Sequence, residues 1–144
     1  MSPQPAEPSA AIVVEISVGE LFDKIGILEI KRRRIQASPA AANIRREWEA
    51  LTAVRDGAVG VDEAVRREFD AAVAELRQVN ETLWDVEDEI RECERNRDFG
   101  DHFVQLARSV YLQNDRRAAL KRRLNELVSS RIVEEKSYAR YSAG

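Results

Sequence analysis

From Val65 to Cys93 apolar residues recur four and three apart without a break: Val65, Phe69, Ala72, Leu76, Val79, Leu83, Val86, Ile90 and Cys93. An α-helix gathers that spacing on one face, and about four heptads of it make a seam for a neighbouring helix. The spacing predicts a long helix over residues 62–97 with Asp62 as its cap. Residues 96–100 read as a turn, and residues 101–128 as a further helix with Asp101 as N-cap. So short a loop between long helices implies antiparallel neighbours.

Polar residues interrupt that apolar pattern. On the last helix Phe103, Leu106, Val110, Leu124 and Val128 share a face, and Asn114, Arg117 and Lys121 lie in its middle. On the helix before it, Leu76, Leu83 and Ile90 share a face with Asn80, Glu87, Arg91 and Glu94. Buried charge is costly unless paired, so such a layer is either a device that fixes register or a site. A turn centred near residue 98 sets Asn80 opposite Arg117, Leu83 opposite Asn114, and Glu87 opposite Val110 and Tyr111. The first helix adds Glu29 and Arg32. The candidate ligand-binding set is therefore Glu29, Arg32, Asn80, Glu87, Arg91, Asn114, Arg117 and Lys121. Arg117 and Lys121 are the cations suited to a phosphate or carboxylate. Mutual salt bridges, or long side chains snorkelling at the edge of the stripe, account for the same residues without a ligand.

Residues 1–10 hold three of the four prolines and read as a disordered tail. Residues 11–144 read as a single helical domain. Ile12, Val13, Val14 and Ile16 make a short β-prone run, and residues 131–135, with Ile132 and Val133, are the partner expected for it. Ser17-Val18-Gly19-Glu20 is a capping box, with Glu20 reaching back to the Ser17 amide, and Ile16 and Leu21 form its staple. The helix it opens spans residues 18–36. Val18, Leu21, Ile25, Leu28 and Ile35 lie on one side of it, and Ile27 and Ile30 on the other, so it packs on both sides and is central. Ser38 as N-cap and Pro39 at the first position open a second helix, which carries Ile44, Trp48 and Leu51 and ends near Gly57. The fold class is all-α: an antiparallel bundle of about four helices, with a short two-stranded β-pairing of the ends.

Most familiar chemistries find no support. Charged residues make up 34% of the chain, yet the net charge is only −3, which gives no global pull toward nucleic acid. The four cations of residues 31–34 point in different directions around a helix and form no patch. No apolar run spans a bilayer, and no secretory signal opens the chain. With one cysteine and no internal disulfide, a cytoplasmic location is the simplest expectation. Cys93 sits on the seam as a small core residue, and His102, the one histidine, reads as exposed. There is no P-loop, GxGxxG or zinc spacing. Residues 89–92 match the ExxE of helical nucleotide pyrophosphohydrolases, but residues 112–115 have Leu where the second motif needs Glu. Residues 23–28 resemble the first helix of all-helical chorismate mutases, and the remaining positions do not follow. Di-iron bundles need paired Glu-x-x-His motifs. No metal site is expected, no catalytic residue is identified, and no cofactor is implied.

One family resemblance covers residues 12–141. Residues 16–21 with Asp23, Lys24 and Ile25 and residues 27–31 are similar to its opening motif. Asn80-Glu81, Leu83-Trp84 and Glu87-Asp88 resemble its middle, and residues 106–111, Asn114-Asp115 and residues 134–138 resemble its end. The family is the domain of unknown function 6165 family of small bacterial helical proteins. The resemblance implies company with, or fusion to, glycosyltransferases of surface-polysaccharide assembly, and it supplies no activity or catalytic residues. Two functions remain open. The first is an interaction module that associates with itself through its long helices, or with a protein partner. The second is an enzyme or sensor that binds an anionic metabolite, such as a nucleotide or nucleotide sugar, at the polar layer. The two tyrosines of residues 138–141 are candidates for docking on the bundle or on a partner.

Overall fold

The chain turns helical where Ser17 caps it: the Ser17 hydroxyl accepts from the Glu20 amide at 3.1 Å. A computed structural model describes residues 11–37, 39–130, 134–137 and 140. Among these there are four α-helices and no strand: α1 (Val18–Arg34), α2 (Ala40–Ala58), α3 (Arg66–Arg95) and α4 (Asp101–Leu127). The expected tail at residues 1–10, the Ser38 cap, residues 131–133 of the expected β-pairing, and Tyr138 and Tyr141 lie outside the described residues.

Several helix ends differ from expectation. α1 stops at Arg34, because Ile35 is already extended (φ −114°, ψ 101°). Pro39 holds the N-cap position of α2 rather than its first turn. The long helix is broken at its start. The Asp62 carboxylate accepts from the Ala64 amide at 3.1 Å, which tightens residues Glu63–Val65 into a 3-10 turn before α3 begins. Gly100, not Asp101, is the N-cap of α4. The carboxylate next to that start belongs to Asp98, which accepts from the Gly100 amide at 3.2 Å. α3 and α4 end in the same way. Arg97 (φ 51°) and Ser129 (φ 52°) take the left-handed conformation. The Asp98 amide then bonds the Cys93 carbonyl, and the Ser130 amide bonds the Asn125 carbonyl. These are Schellman turns built without glycine.

α3 packs chiefly on α4, while α1 touches α2, α3 and α4. α1 is thus the central helix, as its two apolar sides require. Side-chain contacts between α3 and α4 run in reversed order: the ion pairs Glu68 with Arg123 and Glu75 with Arg116, then Glu89 beside His102. Phe69, Ala72, Leu76 and Leu124 form the core cluster. Phe22 of α1 closes it, meeting Phe69 edge to face with centroids 5.1 Å apart.

Candidate functional site

α1 carries a second row besides its apolar stripe: Glu20, Asp23, Ile27 and Ile30 follow three, four and three apart, which is one helix face. Because α1 is packed on both sides, that row is turned inward, and Asp23 is only 1% exposed. Three groups satisfy its carboxylate. Arg117 of α4 donates through Nε to Oδ1 at 2.9 Å and through Nη2 to Oδ2 at 2.5 Å. Asn80 of α3 donates through Nδ2 to Oδ1 at 2.9 Å. Lys121 Nζ lies 4.0 Å from Oδ2. A two-pronged guanidinium fork is the geometry that a buried carboxylate needs to offset its lost hydration.

Lys121 extends the network one turn further along α4. Its Nζ donates to Glu20 Oε2 at 2.5 Å and to Glu134 Oε2 at 2.9 Å. Burial pulls the Lys121 ammonium down, and the bonds to Glu20 and Glu134 with the charge of Asp23 overcome this, so it titrates above its usual range. The hydrogen bond to Asp23 likewise raises Arg117, against the opposing effect of burial. Hydrogen bonds from Lys121 and Lys136 hold Glu134 down at about 2. Two cations thus face three carboxylates, and every group is paired.

Backbone contacts lock α1 to α4 beside this cluster. Asn125 Oδ1 accepts from the Gly19 amide at 2.7 Å, and Ser130 Oγ accepts from the Val18 amide at 3.2 Å. These are helix N-terminal amides without an intrahelical partner. Gly19 is needed for the approach: a Cβ there would stand 2.3 Å from the Lys121 carbonyl oxygen. The Glu20 carboxylate is directed to Lys121, with Lys24 at 3.5 Å, and not back to the Ser17 amide as a full capping box would have it.

Of the residues singled out from the sequence, Asn80, Arg117 and Lys121 converge on Asp23. The others lie elsewhere. Glu29 pairs with Arg77 at 2.6 Å. The Arg32 guanidinium lies 3.9 Å over the Trp48 ring. Arg91 is exposed, and its Nη1 reaches the Glu87 carbonyl at 3.4 Å. Asn114 is exposed. Periodicity on α3 and α4 found one half of the network. Asp23, Glu20, Asn125 and Glu134 were missed, although Ile27 and Ile30 marked the face of α1 that carries Glu20 and Asp23.

One open groove is also lined by charges of both signs. It has a volume of about 870 Å³, lies between α1 and α3, and is bordered by Glu29, Arg32, Arg33, Arg77, Glu81 and Asp85 among others. Arg33 and Arg34 both pair with Glu81, and Arg34 also pairs with Asp85 at 2.8 Å. Glu89 sits 3.4 Å from His102, and Glu92 pairs with Arg95 at 3.3 Å. Among the described residues no three His, Cys, Asp or Glu side chains group as metal ligands. Among the described residues no helix is long and apolar enough to cross a membrane. Burial, with Asp98, Glu89 and Glu92 nearby, pushes the Cys93 thiol up, away from nucleophilic character.

Residues 12–143 match the model of a family of unknown function (DUF6165). No curated protein matches the chain, and no solved structure does.

Proposed function

The chain belongs to this family of unknown function, and we propose that it is a non-catalytic helical interaction module that associates with itself. One observation carries the reading: the cations of the polar layer are already neutralised by the chain's own carboxylates, Arg117 by Asp23 and Lys121 by Glu20 and Glu134. An anionic metabolite entering there would have to displace a paired carboxylate and meet two others. The apolar surface, in contrast, is not all used within the chain. Phe99, Val104, Tyr111 and Leu112 on the α3–α4 pair are exposed, as are Ile12, Val13 and Val14. In this reading residues 11–144 act as one domain, and the reversed order of ion pairs along α3 and α4 supports an antiparallel bundle. Its place is a bacterial cytoplasm, beside the glycosyltransferases of surface-polysaccharide assembly that the family resemblance implies.

Thermal unfolding at increasing protein concentration tests this, because association that favours the folded state makes the melting temperature depend on concentration. The expected result is a melting temperature that rises with protein concentration and is unmoved by nucleotides, nucleotide sugars or divalent cations. A melting temperature independent of concentration, raised by a nucleotide sugar in wild type but not in Lys121→Met, would establish the metabolite-binding alternative.

A further inference from the structure

Arg33 and Arg34 pair with Glu81, and Arg77 pairs with Glu29. Arg32, next to them in the chain and exposed, forms no ion pair and no hydrogen bond among the described residues. Its guanidinium lies over the Trp48 ring, 3.9 Å from the centroid. That contact engages the charge and holds the side chain, but it leaves the N–H donors open. The ring beneath it has an unmet donor of its own. Trp48 Nε1 is shut off from water and has no hydrogen-bond partner among the described residues. An unpaired buried N–H is costly and rare. Both members of this stacked pair thus lack an acceptor.

Arg32 also borders a second recess, an open groove of about 380 Å³ between the end of α1 and the start of α2. The described residues that line it are Arg32, Ile35 and Gln36 on the α1 side and Ala41, Ala42 and Arg45 on the α2 side. The groove between α1 and α3 sets three arginines against three carboxylates. Here there are two arginines and no carboxylate among the described lining residues. Glu49 stands 3.9 Å from Arg45, with 63% and 68% of the two side chains exposed. So open a pair holds its arginine only weakly. Ile35, Ala41 and Ala42 add apolar surface beside the charges. Metabolite sites bury most of their ligand, and this recess is open. Two guanidinium groups beside apolar surface match carboxylates that flank an apolar side chain.

We propose that this groove docks an acidic peptide segment of a protein partner, with Arg32 as its main carboxylate contact and Arg45 as the second. Such docking is independent of self-association. The probe is a fluorescein-labelled peptide, Glu-Glu-Leu-Glu-Glu, titrated with the full chain and followed by anisotropy. The control is Gln-Gln-Leu-Gln-Gln with the same label. Wild type should bind the acidic peptide saturably and not the neutral one, and added salt should weaken binding. Arg32→Met keeps an apolar stem over Trp48 and removes the donors. It should weaken binding about tenfold or more, with the helical circular-dichroism signal unchanged. Arg45→Met should weaken it less. Arg46 is not among the lining residues, so Arg46→Met should leave binding as it is. In Trp84→Phe, where Trp48 is the only tryptophan, emission should change with the same midpoint. No saturable binding by wild type, equal losses in Arg32→Met and Arg46→Met, or an unchanged Trp48 emission would overturn the proposal. So would free glutamate that competes as well as the peptide, which would make the groove a simple anion site. Binding by a chain that light scattering shows to be monomeric would uphold the groove while self-association fails, and a dimer that ignores the peptide would do the reverse.

Discussion

Asp23 is the residue on which three helices meet. Its carboxylate is charged and almost inaccessible to water, and it is tolerated only because Arg117 and Asn80 supply three donors. Removing the fork leaves a buried charge without its main partner. Arg117→Met should therefore lower unfolding free energy by about 3 kcal/mol in denaturant titration. With Asp23→Leu added, the double variant should lose less than the sum of the two single losses, which is the signature of direct coupling. Glu134 has a second measurable consequence. Its folded pKa of about 2 lies below the ordinary 4.5, so its contribution to stability is complete above pH 4.5 and disappears as pH falls toward 2. Melting temperature against pH should fall through that window, and more shallowly in Glu134→Gln. Neither residue stood out from the sequence by type alone. Asp23 was legible only through the second apolar row of α1, and Glu134 lies in a segment without periodicity, where no pattern reports on contacts.

At the scale of elements, the pairing of α1 with α4 depends on a glycine. Gly19 and Gly26 lie two turns apart on α1, yet their surroundings differ. A Cβ at Gly19 collides with the Lys121 backbone, whereas a Cβ at Gly26 meets nothing within 4 Å, beside a cavity of about 30 Å³. Gly19→Ala should destabilise by about 2 kcal/mol or more, since backbone must move to admit it. Gly26→Ala should stabilise by about 0.5–1 kcal/mol, through higher helix propensity alone. Thermal denaturation of the two variants separates these outcomes. The four helices and their approximate limits were readable because a 4-3 apolar period and Ser17 and Asp62 caps are local signals. The ends of α3 and α4 were less so. Left-handed Schellman positions are normally marked by glycine, and here Arg97 and Ser129 occupy them.

The whole molecule sets a neutralised interior against a surface that is still apolar in places. The polar layer fixes how α1, α3 and α4 align, which suits register pairing and leaves no unmatched cation at Asp23 for an anion. The side chains of Ile12, Val13 and Val14 stand at the other extreme, exposed to water ahead of α1. From the sequence this run was a strand expected to pair with residues 131–135, and residues 131–133 lie outside the described residues. The most direct measurement of the central claim is the mass of the wild-type protein by multi-angle light scattering across a concentration series. The account predicts twice the mass of the chain, approached as concentration rises. A single-chain mass at every concentration would contradict it.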